Sequence, residues 1–144
     1  MRKIEINVYE YEELNDKAKD NVMNNLASDY VWFDEALQSL NAFAEEIGID
    51  IIDYSIDYGC SARSYVKWEK NYNYHTRFIK HYLTGYCMDY ELTNTWNKQK
   101  DVNECIKEWL SSIQKDYEHQ QTDEYLIDLC NANEYEFNEE GELI

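Results

Sequence analysis

The chain has 144 residues, with 30 acidic against 13 basic side chains and a formal net charge of -17 at pH 7. Its apolar fraction of 44% and aromatic fraction of 15% exclude a disordered acidic tail, so we expect this charge on a folded body of one domain, residues 1–144. Such a surface repels DNA, RNA and anionic membranes, and it attracts the basic grooves of proteins that bind them.

The first half of the chain predicts one strand and two helices. Apolar residues alternate with polar ones near residues 3–9, which indicates a half-buried strand. Asn15 is a good N-cap for a short helix with apolar residues at every fourth position. The clearest helix has a wide apolar stripe from Phe33 to Ile47, and Gly48 follows where a C-terminal cap belongs.

A hairpin follows, with strands near 50–58 and 62–68. A three-residue loop at 59–61 pairs Tyr54 with Val66 and Ile52 with Trp68. The same register sets Asp57 against Arg63 and Asp53 against Lys67. These two aspartates are therefore expected to be neutralised locally and to be poor candidates for a binding surface.

The second half of the chain predicts three further helices and a last strand. Apolar residues from Phe78 to Tyr90 indicate a helix that Gly85 weakens. Asp101 and Glu104 have the spacing of a capping box before a strongly amphipathic helix, and Thr122 is the expected N-cap of a final short one. A strand is expected near 134–138. The predicted fold class is α+β, with a small mostly antiparallel sheet packed with four or five helices.

The residue types that usually carry catalysis give no signature. The chain has no HExxH, CxxC, GxSxG, glycine-rich phosphate loop or EF-hand spacing. His75 and His81 are six residues apart and so do not share a helical face. We therefore expect no enzyme activity, no cofactor and no metal site. The four cysteines show no paired spacing, and no apolar leader segment is visible, so we expect reduced thiols in a cytoplasmic protein.

Clusters of acidic residues are the main candidate for a binding surface, because few basic residues accompany them. Solubility alone needs a net charge of only about 2–8 in magnitude. Solvated acidic faces remain the alternative for any single cluster. Tyr9, Tyr11, Tyr72 and Tyr74, at strand ends or in loops, are either boundary residues of a small core or anchors for a protein partner. The predicted partner-binding residues are Glu10, Glu12, Glu13, Asp16, Asp123, Glu124, Asp128, Glu134, Glu136, Glu139, Glu140, Glu142, Tyr72 and Tyr74.

Both ends of the chain resemble a family of small acidic phage and prophage proteins. The opening residues 8–19, VYEYEELNDKAK, and the closing residues 132–141, ANEYEFNEEG, are similar to the ends of that family. Some of its members carry the label "antitoxin of toxin–antitoxin stability system". The chain departs from the family in the hairpin at residues 58–62. The resemblance implies an origin in a mobile element and supplies no catalytic residues.

Taken together, these features predict a phage-encoded acidic inhibitor of a host defence nuclease, of the anti-CRISPR or anti-restriction type. It would bind a basic nucleic-acid groove as a DNA mimic or a steric block. The expected partner is a basic host protein in the bacterial cytoplasm, with no direct contact to nucleic acid or membrane. The alternative is an antitoxin-like or other protein-interaction module that acts through an aromatic patch.

Overall fold

The structure, a computed structural model, describes residues 7–26, 30 and 32–144. These residues form an α+β fold with a two-stranded antiparallel sheet, which confirms the predicted fold class. Short 3-10 turns lie at Tyr11–Glu13 and Ser61–Arg63. The helices and strands are α1 (Asp16–Leu26), α2 (Phe33–Ile47), β1 (Ile49–Ser55), β2 (Tyr65–Lys70), α3 (Asp89–Gln99), α4 (Val102–Gln120) and α5 (Asp123–Ala132).

The chain divides into two compact units. The first unit comprises Met1–Tyr30 and Glu118–Ile144, and the second comprises Val31–Tyr117. The ends of the sequence thus share one unit, and the last residues of α4 belong to it. The prediction that residues 1–144 form one domain stays a prediction.

The first unit packs α1, α5 and the C-terminal residues around a small core. The side chain of Asn15 accepts a hydrogen bond from the backbone of Ala18, and Thr122 accepts one from Tyr125, so both predicted N-caps are confirmed. The buried cluster of this core comprises Tyr11, Leu14, Ala18, Val22, Leu126, Cys130 and Phe137.

Within the described residues, the outer strands of the predicted sheet are represented by isolated bridges. Phe137 pairs antiparallel with Tyr9 and with Leu143, and no continuous strand forms over 134–138. Of the strand expected near 3–9, residues 3–6 lie outside the described residues. Phe137 is nevertheless fully buried in the core of the first unit.

The second unit has a helical core built from the apolar stripes of α2, α3 and α4. Phe43 and Trp96 meet edge to face with ring centroids 5.8 Å apart. The indole N–H of Trp109 donates to the backbone oxygen of Ala36 at 3.1 Å, which satisfies a polar group inside this core. Gly48 ends α2 in the left-handed conformation (φ 81°), as predicted. A residue with a side chain would not fit at this position, because its Cβ would lie 2.3 Å from the backbone of Asn73.

The hairpin of the second unit largely follows the predicted register. Tyr54 pairs with Val66 and Asp53 pairs with Lys67, as expected. Trp68, however, pairs with Ile51 rather than Ile52, because a bulge displaces Ile52 from the ladder. The connection is also longer than three residues, since β1 ends at Ser55 and β2 begins at Tyr65 around the 3-10 turn.

The predicted helix over residues 78–90 is wrong. Residues 78–88 form an irregular segment, and α3 begins only at Asp89. Tertiary hydrogen bonds hold the segment in place of helical ones. The side-chain amide of Asn97 receives the backbone N–H of Ile79 and donates to its backbone oxygen, each at 2.8 Å. The spacing of the aromatic residues along the sequence gives no signal for these contacts.

Candidate acidic interface

The surplus of negative charge belongs mainly to the first unit. That unit has sixteen acidic side chains against four basic ones, although it contains only about two fifths of the chain. The second unit has fourteen against nine. Residues 118–144 contain nine acidic residues and no lysine or arginine at all. The charge is therefore distributed unevenly along the fold.

Every acidic residue of the predicted partner-binding set lies in the first unit, and all twelve are exposed. They come from the 3-10 turn and the start of α1, from α5, and from the C-terminal residues. We call these twelve carboxylates the acidic surface: Glu10, Glu12, Glu13, Asp16, Asp123, Glu124, Asp128, Glu134, Glu136, Glu139, Glu140 and Glu142.

Hydrogen bonds to Tyr11 and to the backbone fix parts of this surface. The hydroxyl of Tyr11 donates to Asp123 at 2.6 Å, which ties the 3-10 turn to α5. Burial, and then the bond and charge of Asp123, raise the pKa of Tyr11 well above its ordinary value. Glu13 accepts the backbone N–H of Glu10 at 2.9 Å. Tyr11 is buried in the core, which favours, for this tyrosine, the alternative of a core residue over that of a partner anchor.

The C-terminal carboxylates stand on a tight turn attached to α1. The side-chain oxygen of Asn138 accepts the backbone N–H groups of Glu140 and Glu142 at 3.0 and 2.9 Å. The amide of Asn21 donates to the backbone oxygen of Glu140 at 2.9 Å. Gly141 adopts φ 85°, and a Cβ there would lie 2.3 Å from the backbone oxygen of Ala18. The turn thus presents its carboxylates to solvent from an ordered backbone.

Within the described part of the chain, no carboxylate of the acidic surface forms an ion pair with a basic side chain. The second unit differs in this respect. Arg63 lies 4.0 Å from Asp57, as the register predicted, and the phenol of Tyr65 donates to Asp53 at 3.2 Å. Among the described residues, the acidic surface is therefore not compensated by basic side chains.

The two predicted tyrosine anchors belong to the second unit. Tyr72 is fully exposed (101%), and Tyr74 is half-buried beneath Lys70, whose ammonium lies 4.6 Å from the ring centroid. The structure therefore places these tyrosines in a different unit from the twelve carboxylates, and Tyr72 is the better exposed of the two.

Sequence reasoning missed a polar cleft of about 400 Å³ at the end of α2. Both His75 and His81 reach Glu46 there, although their spacing excludes a shared helical face. The Nε2 of His81 lies 3.4 Å from the Glu46 carboxylate. His75 accepts the backbone N–H of Arg77 at Nδ1, so its Nε2 donates to the backbone oxygen of Glu46 at 2.6 Å. The irregular chain over residues 75–81 brings them together.

The described residues hold no cluster of three or more histidine, cysteine, aspartate or glutamate side chains arranged to bind a metal ion. Burial raises the pKa of the Cys105 thiol to about 12 and also raises the pKa of Cys130. These two thiols are therefore protonated at neutral pH and are unsuited to act as nucleophiles.

No family model matches the chain, and no curated protein or solved structure is significantly similar to it. Among the described residues, every helix is too short or too polar to cross a bilayer.

Proposed function

We propose that the protein inhibits a nucleic-acid-binding protein by placing the acidic surface of its first unit in that protein's basic groove. The observation that carries this proposal is the concentration of charge: twelve exposed carboxylates in one unit, none of them in an ion pair within the described residues. Such a surface is attracted to positive grooves and repelled by nucleic acid itself.

The size of the first unit supports a mimic of duplex DNA. A compact body of that length is about 26 Å across. Duplex DNA of the same length carries about 15 phosphate charges. The first unit has a surplus of twelve negative charges, which is close to that number. Its charge density therefore matches the ligand that a basic groove evolved to bind.

The resemblance to phage proteins that the sequence of the two ends led us to expect favours a more specific target. A phage gains from blocking nucleases that degrade its genome, and blocking by occupation needs no catalytic residues. In this proposal the partner is a host defence nuclease of the CRISPR or restriction type. Duplex DNA and the inhibitor would then compete for one groove.

The experiment is a capture from bacterial lysate on the immobilised protein, followed by purification of the partner and kinetic measurement. We expect duplex DNA to elute the partner, and added salt to weaken the complex steeply because it screens opposite charges. Replacing Glu134, Glu136, Glu139 and Glu140 by glutamine should lower the affinity about tenfold, mainly through slower association.

A matched variant separates this local effect from net charge. Asp34→Asn, Glu45→Gln, Glu69→Gln and Glu108→Gln together remove the same four charges from exposed positions of the second unit. This control should change affinity by less than about threefold if the proposal is correct. Equal losses in both variants, or an affinity that does not depend on salt, would contradict occupation by the acidic surface.

The alternative function, an antitoxin-like module that acts through aromatic contacts, has one observation in its favour. Tyr72 is fully exposed on the second unit, and large aromatic side chains are typical anchors of protein interfaces. If Tyr72→Ala weakens binding while the four glutamine substitutions leave it unchanged, the alternative is the better account.

A further inference from the structure

One stretch of the second unit has a positive net charge, in contrast to the negative net charge of the whole chain. Residues 70–90, which we call the aromatic-basic segment, contain Lys70, Arg77 and Lys80 as well as two histidines. Their one carboxylate is Asp89, and it is buried. In a chain with 30 acidic residues, a run of this length without an exposed carboxylate is a local exception.

The same segment exposes aromatic rings to an unusual degree. Tyr82 is 85% exposed and Phe78 is 57% exposed, in addition to the fully exposed Tyr72. Tyr86 and Tyr90 are exposed as well. Exposed rings in such number are typical of surfaces that bind another protein, since tyrosine provides contact area at a low cost in side-chain entropy.

The backbone that carries these rings is irregular but firmly attached. The backbone N–H of His75 donates to Ile47 at 3.0 Å, and the indole of Trp96 donates to the backbone oxygen of Arg77 at 2.9 Å. Ile79 is buried and bonded on both sides to Asn97. The segment is therefore organised before any partner binds, which lowers the entropic cost of association.

Asp89 fixes the second half of the segment. Its carboxylate accepts the backbone N–H groups of Thr84 and Gly85, each at 2.8 Å, and the hydroxyls of Thr84 and Ser39 at 2.6 and 2.7 Å. The one carboxylate in the segment is thus bound to groups within the fold, and the exposed charged side chains of the segment itself are basic.

We propose that the aromatic-basic segment is a second contact surface, which docks against a carboxylate-bearing surface of the same partner protein. This inference rests on the proposed function, because it assigns a second contact to that complex. The basic side chains pair with the partner's carboxylates and the tyrosine rings pack between them. The acidic surface then governs association, and this segment governs how long the complex persists.

A protein surface fits the segment better than nucleic acid does. The whole chain has a net charge of -17, so a polyanion is repelled as it approaches. A partner with a basic groove attracts the acidic surface, and an acidic area elsewhere on that partner can then meet the three basic side chains of the segment.

The test measures association and dissociation rates of the purified partner on Tyr72→Ala/Tyr82→Ala and on Lys80→Glu. We expect the double tyrosine variant to dissociate about tenfold or more faster with an unchanged association rate. Lys80→Glu should dissociate several-fold faster. Tyr54→Ala, which removes an exposed tyrosine of the same unit outside the segment, should leave both rates within about twofold.

The outcomes separate this inference from the proposed function. If the glutamine variants slow association but the tyrosine variants leave dissociation unchanged, the inference is overturned and the proposed function stands. Faster dissociation of the tyrosine variants, together with unchanged association of the glutamine variants, would support the segment and overturn the acidic surface. A bait that retains no protein at low salt overturns both. Binding of a fluorescent oligothymidylate that Tyr72→Ala/Tyr82→Ala abolishes would assign the segment to nucleic acid and overturn it as a protein contact.

Discussion

The two units differ in how their acidic residues are partnered. In the first unit all twelve carboxylates of the acidic surface are exposed, and within the described residues none of them is paired with a base. In the second unit some acidic residues have a partner, as Asp57 has in Arg63, or are buried and hydrogen-bonded, as Asp89 is, while others are exposed. The net charge of the chain is therefore a poor description of either unit.

This difference shows where a functional charge can be sought. A carboxylate beside a basic side chain presents an incoming basic groove with a nearly neutral pair, so the pair as a whole is attracted weakly. An exposed and uncompensated carboxylate gains the full screened attraction. Exposed carboxylates without a basic neighbour are therefore the most informative acidic residues to mutate.

The largest expected effect comes from glycine substitutions that test whether the two units are independent. At Gly141 and Gly48 an alanine would combine a positive φ with a Cβ placed 2.3 Å from another part of the backbone. Each substitution should lower the free energy of unfolding of its own unit by about 3 kcal/mol or more. Hydrogen exchange should then show lost protection in residues 118–144 for Gly141→Ala, and around residues 48–75 for Gly48→Ala.

Gly85→Ala provides the matched control for these variants. Gly85 has φ 89°, but a Cβ there meets nothing within 4 Å. Its cost should be limited to the conformational strain of about 1–2 kcal/mol. If Gly141→Ala removes protection from both units equally, the chain unfolds as one cooperative domain and the units differ only in their surfaces.

The next effect concerns the buried carboxylate of the second unit. Burial alone would raise the pKa of Asp89, but hydrogen bonds from Thr84, Ser39 and Gly85 outweigh it and hold the pKa below its usual 3.8. Asp89→Asn cannot accept the same four bonds, so it should destabilise the second unit by about 2–3 kcal/mol near neutral pH.

The sign of the pH dependence follows from that lowered pKa. Ionised Asp89 stabilises the folded state above pH 3.8, and this contribution is lost as the pH falls through the folded-state pKa. Urea unfolding should therefore show a loss of stability on acidification in the natural protein that is smaller in Asp89→Asn. Parallel stability curves for the two proteins below this pH would show that Asp89 is not responsible.

Local signals were sufficient to predict much of this fold. The N-caps at Asn15 and Thr122 and the left-handed cap at Gly48 each depend on a few neighbouring residues, and all three are confirmed. The acceptor role of Asp101 toward the backbone of Glu104 is confirmed as well. Alternation and charge fixed the pairs Tyr54 with Val66 and Asp53 with Lys67.

The features that could not be predicted depend on contacts between distant residues. The helix expected over 78–90 is replaced by an irregular segment because Asn97, Trp96 and Asp89 bind its backbone. The bulge at Ile52 does not follow from apolar alternation, since alternation assumes an unbroken ladder. The exposure of the twelve carboxylates was expected, but their membership of one unit required the tertiary contacts.

The smallest expected effect is the sharpest test of the comparison. Asp57→Asn and Glu139→Gln each remove one negative charge at an exposed position, the first in the second unit and the second in the acidic surface. Both should change the free energy of unfolding by less than about 0.5 kcal/mol, because exposed charges contribute little to stability. Their effects on binding should nevertheless differ. Under the proposed function Asp57 lies outside the surface that enters the groove, so Asp57→Asn should change the association rate with the captured partner less than Glu139→Gln, which should lower it about twofold. Identical association rates in the two variants would mean that the partner responds only to net charge, and the distinction between the units would then have no functional meaning.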